Sequence, residues 1–133
     1  MISREARARV RIRAEYRCEY CRLNEHHSPL PFHIEHVVAQ QHGGPDDEDN
    51  LAFACHRCNL HKGPNLTGID PHGGEIAALF HPRKERWLDH FGLDGAQIVG
   101  KTSTGRTTVQ LLTMNDERRV DLRNVILSRG QYL

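Results

Sequence analysis

The sequence predicts a small α+β domain, and three of its features carry this prediction. Its 133 residues are enough for one domain with a modest core. Two short apolar segments, 32–39 and 51–54, lie on either side of a turn-rich loop, which favours a strand–loop–strand arrangement. Two Cys-x-x-Cys pairs bracket these segments. We therefore expect one domain over residues 1–133, with its core at about 14–65 and an α/β extension at about 66–133.

The N-terminal segment is predicted to form a basic helix. Ser3 can cap a helix that continues to about Tyr16, and Arg4, Arg7 and Arg11 would share one of its faces. The first 22 residues contain seven arginines and three glutamates, although the whole chain has a formal net charge of only +1. Two interpretations stay open for this arginine face: it is solvated, or it contacts phosphate groups.

The central elements follow the order strand, loop, strand, helix. The loop at 40–50 contains Gly43-Gly44-Pro45 and an acidic run, a composition typical of a turn-rich connection. After the second strand, we expect a short helix that begins near Asn59 and ends at Gly63-Pro64.

The extension is predicted to mix strands and helices. Segments 75–80 and 96–101 are typical of strands, and segments 82–90 and 116–129 are typical of helices. Segment 105–114 is ambiguous, because its threonines favour a strand while its apolar residues have helical spacing.

The four cysteines form two pairs, Cys18 with Cys21 and Cys55 with Cys58. Four thiolates in this arrangement suit a tetrahedral zinc ion with no open position, so the predicted site is structural. The chain has no apolar run of the ~18 residues that a membrane span needs, and its N-terminus has no apolar signal-peptide region. We therefore expect a reducing cytoplasmic environment without membrane association, in which zinc rather than two disulfides accounts for the cysteines. The alternative is four unligated buried cysteines.

The central residues resemble the zinc-bearing branch of the HNH endonuclease family. The resemblance rests on Glu35-His36-Val-Val, then Asn50-Leu51, then Cys55-x-x-Cys58-Asn59-x-x-Lys62-Gly63. It covers about residues 14–65 and implies a small ββα-metal core with a structural zinc site of four cysteines. It also implies a metal-dependent nuclease that hydrolyses phosphodiester bonds of double-stranded DNA.

The resemblance also implies a role for five residues. Glu35 would bind a catalytic Mg²⁺ or Mn²⁺ ion, and His36 would act as the general base. Asn50 would brace the loop and hold the base in place. Asn59 stands where the family has its last metal ligand, and Lys62 could contact a phosphate or stabilise charge in the transition state.

Three positions depart from the family pattern. Glu35 stands where Asp is commoner, so the metal position must adjust to one additional methylene. Asn59 is neutral and cannot be protonated, so its ligation should be insensitive to mild acid. Ala39 stands where Pro is frequent, which affects only the loop. None of these changes removes a functional group that the chemistry needs.

The chemistry itself is consistent with these residue types. A neutral imidazole can deprotonate water near pH 7, and carboxylate and amide oxygens suit a hard divalent cation. Such a cation can stabilise the phosphoryl oxygens and the departing oxygen. Two other functions stay open: a catalytically inactive zinc-stabilised nucleic-acid-binding module, and a domain that binds other partners through its extension.

Overall fold

The computed structural model describes residues 1–132, which form short helices and antiparallel hairpins. The first half contains α1 (Arg4–Arg13), β1 (His33–His36), β2 (Leu51–Ala54) and α2 (His56–Lys62). The second half contains β3 (Thr67–Ile69), β4 (Ile76–Ala78), α3 (Trp87–His90), β5 (Phe91–Asp94), β6 (Gln97–Gly100), α4 (Ser103–Leu111) and α5 (Glu117–Ser128). Strands pair in sequence order as β1–β2, β3–β4 and β5–β6. The predicted α+β class is confirmed.

The hairpin of β1 and β2 packs against both α1 and α2. In β1, Ile34 packs with the cluster that contains Val10 of α1 and Phe53 of β2. Its neighbour Glu35 points the other way, to Lys62 of α2, because successive side chains of a strand alternate between the two faces. The hairpin therefore has an apolar face against α1 and a face that carries a buried ion pair against α2.

Helix α1 begins as its sequence predicts and ends earlier. The Ser3 hydroxyl accepts a hydrogen bond from the Ala6 N–H at 3.0 Å, which satisfies one of the free donors of the first turn. The helix stops at Arg13 because Glu15 and Tyr16 adopt left-handed backbone angles, with φ of 56° and 62°. This turn directs the chain into the first cysteine pair.

Helix α2 begins at its cysteine pair rather than near Asn59. Cys55 is the N-cap, and its sulfur accepts a hydrogen bond from the Cys58 N–H at 3.4 Å. Cys58 and Asn59 therefore lie in the first turn or just after it. Gly63, at φ 51°, ends the helix as expected.

The extension shares an apolar core with the cysteine segments. One cluster of buried residues contains Cys18, Tyr20 and Cys55 together with Phe80, Phe91, Leu112 and Met114. A polar contact adds to it, because the indole N–H of Trp87 donates to the Tyr20 carbonyl at 2.7 Å. The extension thus covers the side of the core that the hairpin leaves open.

The structure decides two expectations about segments of the extension. The helix predicted over 82–90 is wrong for its first half: only Trp87–His90 is helical. Upstream, the His81 ring accepts the Arg83 N–H, and the Glu85 carboxylate accepts the His81 N–H, so side chains replace helical bonds. The ambiguous segment 105–114 lies mostly within helix α4, and no helix among residues 1–132 has the length and apolar character to cross a membrane.

Candidate functional site

The four cysteines converge on one buried point. Their sulfur atoms all lie within 4.8 Å of one another, and the sulfurs of Cys21 and Cys55 are 3.8 Å apart. Tetrahedral zinc with Zn–S bonds of about 2.3 Å separates its sulfur ligands by about 3.8 Å. In each pair, the backbone N–H of the second cysteine donates to the sulfur of the first at 3.4 Å. The donor set and its spacing fit a structural zinc ion.

A cation from the extension lies against this cluster. Nη2 of Arg119, in α5, is 3.0 Å from the sulfur of Cys58 and 3.9 Å from that of Cys55. Burial opposes the charge of Arg119, yet the nearby sulfurs raise its pKa above the ordinary value. Four thiolates around Zn²⁺ carry a formal charge of −2, so the guanidinium offsets part of it. Sequence inspection missed Arg119, because nothing local marks a residue 61 positions from Cys58.

A polar surface pocket of about 590 Å³ lies at the free edge of β1. Its lining includes Glu35 and His36 from β1 and Asn59 from α2. The structure thus brings together three of the five residues that the family resemblance singled out. Asn50 and Lys62 are buried and do not line it.

Glu35 is held by two buried partners. The Tyr20 hydroxyl donates to Oε1, and Nζ of Lys62 lies 3.3 Å from Oε2. Burial raises the pKa of Glu35, while the charge of Lys62 and the Tyr20 hydrogen bond act against that rise. Burial, followed by the charge of Glu35, raises the pKa of Tyr20 well above its usual value. Tyr20 lies between Cys18 and Cys21, so the turn that carries the first cysteine pair also holds the Glu35 carboxylate in place.

Lys62 is an internal partner rather than a surface group. It is 1% exposed, and Nζ donates to the Val37 carbonyl at 2.9 Å in addition to its contact with Glu35. A direct contact between Lys62 and a phosphate stays a prediction, which this geometry does not favour.

His36 contacts a carboxylate that the sequence did not single out. Its Nε2 is 2.7 Å from Oδ1 of Asp46, and the Gln40 side chain donates to the same oxygen at 3.2 Å. The hydrogen bond from His36 is the largest cause that holds the pKa of Asp46 below its usual range. The available signal was the position of Asp46 in the loop between His36 and Asn50.

Asn50 closes that loop from within. Its side chain accepts from the Val38 N–H and donates to the carbonyls of Val38 and Pro45, each at 2.9 Å. Gly44 is required in the same place, because a Cβ there would lie 1.7 Å from the Val38 oxygen. These contacts fix the path of the chain between His36 and Asp46.

Comparison with known proteins identifies the central segment. The family model described as HNH endonuclease matches residues 18–65, a range that contains both cysteine pairs and the pocket residues. This match confirms the resemblance that the sequence motifs indicated, and it supports assignment of the segment to a nuclease family. Searches of curated proteins and of solved structures gave no match.

Proposed function

We propose that this protein is a metal-dependent HNH endonuclease that hydrolyses phosphodiester bonds of double-stranded DNA. The observation that carries the proposal is the shared pocket of Glu35, His36 and Asn59, within a segment that matches the HNH endonuclease family. A base and two oxygen ligands in one open, polar pocket are what metal-assisted phosphodiester hydrolysis requires.

Glu35 and Asn59 would hold the catalytic Mg²⁺ or Mn²⁺ ion. When bound, the ion supplies Lewis-acid stabilisation of the phosphoryl and leaving oxygens. Carboxylate and amide oxygens are suitable ligands for such hard cations. Each oxygen of Glu35 already accepts one contact, from Tyr20 or Lys62, and a carboxylate has about four acceptor positions in all. The carboxylate therefore keeps capacity for a cation on the pocket side.

His36 would remove a proton from the attacking water. An ionised carboxylate only accepts hydrogen bonds, so the contact with Asp46 assigns the proton of a neutral His36 ring to Nε2. Nδ1 then carries the free lone pair and is the basic atom. Asp46 holds the ring in this orientation through that hydrogen bond.

Asn50 and Lys62 act through their neighbours in this mechanism. Asn50 keeps the loop that carries Asp46 in register with His36. Lys62 offsets the charge of Glu35 and ties α2 to β1 through the Val37 carbonyl. Both residues position groups that touch the reacting atoms.

A plasmid-nicking assay with Mg²⁺ or Mn²⁺ tests the proposal. Loss of a general base slows hydrolysis by about 10²–10⁴-fold, so we expect His36→Ala to reduce nicking within that range. The control is His72→Ala, which alters an exposed histidine outside the pocket and should cleave like the parent. Equal nicking rates for His36→Ala and the parent would remove His36 from the mechanism.

One observation favours a second function, a zinc-stabilised nucleic-acid-binding module without catalysis. Glu35 is buried, and its charge is already balanced by Lys62. The carboxylate therefore does not need a bound cation to offset its charge. Salt-sensitive DNA binding by a protein that does not nick DNA with any divalent cation would support this alternative.

A further inference from the structure

Helix α1 has two arginine faces with different surroundings. On one face, Arg9 pairs with Glu48 at 2.7 Å, and Arg13 donates to the Leu51 carbonyl at 2.8 Å. These two arginines anchor the helix to the hairpin and its loop. Glu5, the one acidic residue of α1, lies four positions before Arg9 and therefore on the same side.

The opposite face carries Arg4, Arg7 and Arg11 at helical spacing. Arg4 and Arg7 are exposed, and within residues 1–132 neither side chain has an ion-pair partner. Arg11 pairs with Glu25, its Nε lying 2.8 Å from Oε1. This face, which we call the outer arginine face, therefore keeps two uncompensated positive charges.

The outer arginine face is continuous with the candidate catalytic pocket. A second cleft, of about 300 Å³, is lined by Arg7 and Arg11 of α1 and by Phe32 and Ile34 beside them. Ile34 also lines the pocket of Glu35 and His36. The two clefts therefore adjoin at Ile34 of β1, and we call them together the groove. Glu25, the acidic residue in the lining of the second cleft, is paired with Arg11.

We infer that the outer arginine face of α1 binds backbone phosphates of the DNA duplex next to the phosphate in the catalytic pocket. This inference rests on the proposed nuclease function and extends it to the path of the substrate. Duplex DNA is favoured because it presents a dense row of phosphates to a helix face on which Arg4 and Arg7 have no ion-pair partner among residues 1–132. From Arg4 to Arg11 the helix rises by about 10 Å, roughly three nucleotide steps along one strand.

The test measures binding of a short duplex at several salt concentrations in a His36→Ala background, in which cleavage should be slow. Each phosphate contact contributes about 0.9 to the slope of log K against log salt. We expect Arg4→Gln/Arg7→Gln to reduce that slope by about 1 to 2, whatever the DNA sequence, and Arg7→Gln alone to reduce it by about half as much.

The matched control is Arg118→Gln/Arg129→Gln, which removes the same charge from two exposed positions of α5 or its end, outside the groove. We expect it to keep the parent slope. An unchanged slope for the α1 variants, or an equal loss in the α5 control, would overturn the inference. The proposed function fails separately, if the protein that retains His36 does not nick DNA with Mg²⁺ or Mn²⁺.

Discussion

Tyr20 connects the cysteine cluster to the candidate catalytic pocket through a single side chain. Its backbone lies between Cys18 and Cys21, and its hydroxyl donates to Glu35. Its ring packs edge-on against Phe80, with 6.5 Å between the ring centroids. The phenol therefore combines two separable contributions: apolar packing from the ring and a hydrogen bond from the hydroxyl.

Replacement of Tyr20 by Phe removes the hydrogen bond and keeps the packing. A hydrogen bond to a charged group contributes about 1.5–3 kcal/mol, so Glu35 should lose orientation as a metal ligand. We expect the Mn²⁺ concentration for half-maximal nicking to rise about ten-fold, with the zinc content unchanged. A metal titration of nicking, with zinc measured in the same samples, checks this. The same Mn²⁺ requirement in both proteins would show that the hydroxyl does not position Glu35.

The site residues differ in how well the sequence predicts them. Glu35, His36 and Asn59 could be recognised because they belong to a motif with fixed spacing. Tyr20 and Arg119 could not, because each acts on a residue far away in the chain, and the cysteines beside Tyr20 do not indicate which group its hydroxyl contacts. Lys62 was recognised in the motif, but its burial against Glu35 depends on the packing of α2 on β1.

At the scale of elements, an ion pair joins the end of β3 to α4. The Arg106 guanidinium donates to both carboxylate oxygens of Asp70, at 3.0 and 2.8 Å. The hydrogen bond from Arg106 is the largest cause that holds the pKa of Asp70 below its usual range. This contact lies in the extension, and neither residue belongs to the cysteine cluster or lines the candidate catalytic pocket.

The ion pair predicts a pH dependence of stability. Because the folded-state pKa of Asp70 lies below its unfolded value of about 3.9, its stabilisation is present above that value and is lost as pH falls further. We expect Asp70→Asn to be less stable than the parent at pH 7, with the difference shrinking below about pH 4.

Urea unfolding at pH 7 and pH 3 measures this difference. The control is Asp94→Asn, because Asp94 is exposed at the end of β5 and has no ion pair among residues 1–132. A constant difference between Asp70→Asn and the parent at both pH values would contradict the assignment.

Elements were predictable where one dominant pattern decides them. The strand 51–54 and the helix 116–129 agree with the structure to within a residue at each end, since apolar runs and a terminal glycine set their limits. Segment 82–90 failed because hydrogen bonds from His81 and Glu85 outweigh helix propensity. Whether such side chains replace the helical hydrogen bonds depends on their rotamers, and the spacing of apolar residues in the sequence gives no information on rotamers.

At the scale of the molecule, a zinc ion bound by the four cysteines would cross-link distant segments. It would join the turn after α1 to the start of α2, and Arg119 adds a contact from α5. Structural zinc contributes on the order of 10 kcal/mol to folding in small metal domains. That figure is comparable to the whole free energy of unfolding of a typical domain, so the fold should depend on the ion.

Graded chelation should therefore separate two losses. The two proposed Mg²⁺ or Mn²⁺ ligands line an open pocket, whereas four buried cysteines would surround the zinc ion, so mild EDTA should stop nicking first. Complete removal of zinc should then unfold the chain. Far-UV circular dichroism with zinc quantification follows both steps. A native spectrum after verified zinc loss would contradict the structural role of the cluster.

The shared core has a consequence for how the HNH-like segment, with its proposed activity, could be transferred between proteins. The segment that matches the HNH family begins at Cys18, yet its hairpin is covered by Val10 and Ala14, which precede it. On the other side, Phe91 and Met114 complete the cluster around the cysteines. A fragment limited to residues 18–65 would thus contain the candidate site residues but lack the apolar residues that cover their hairpin and the cysteine cluster. Recombination between proteins built in this way would have to exchange the flanks together with the motif.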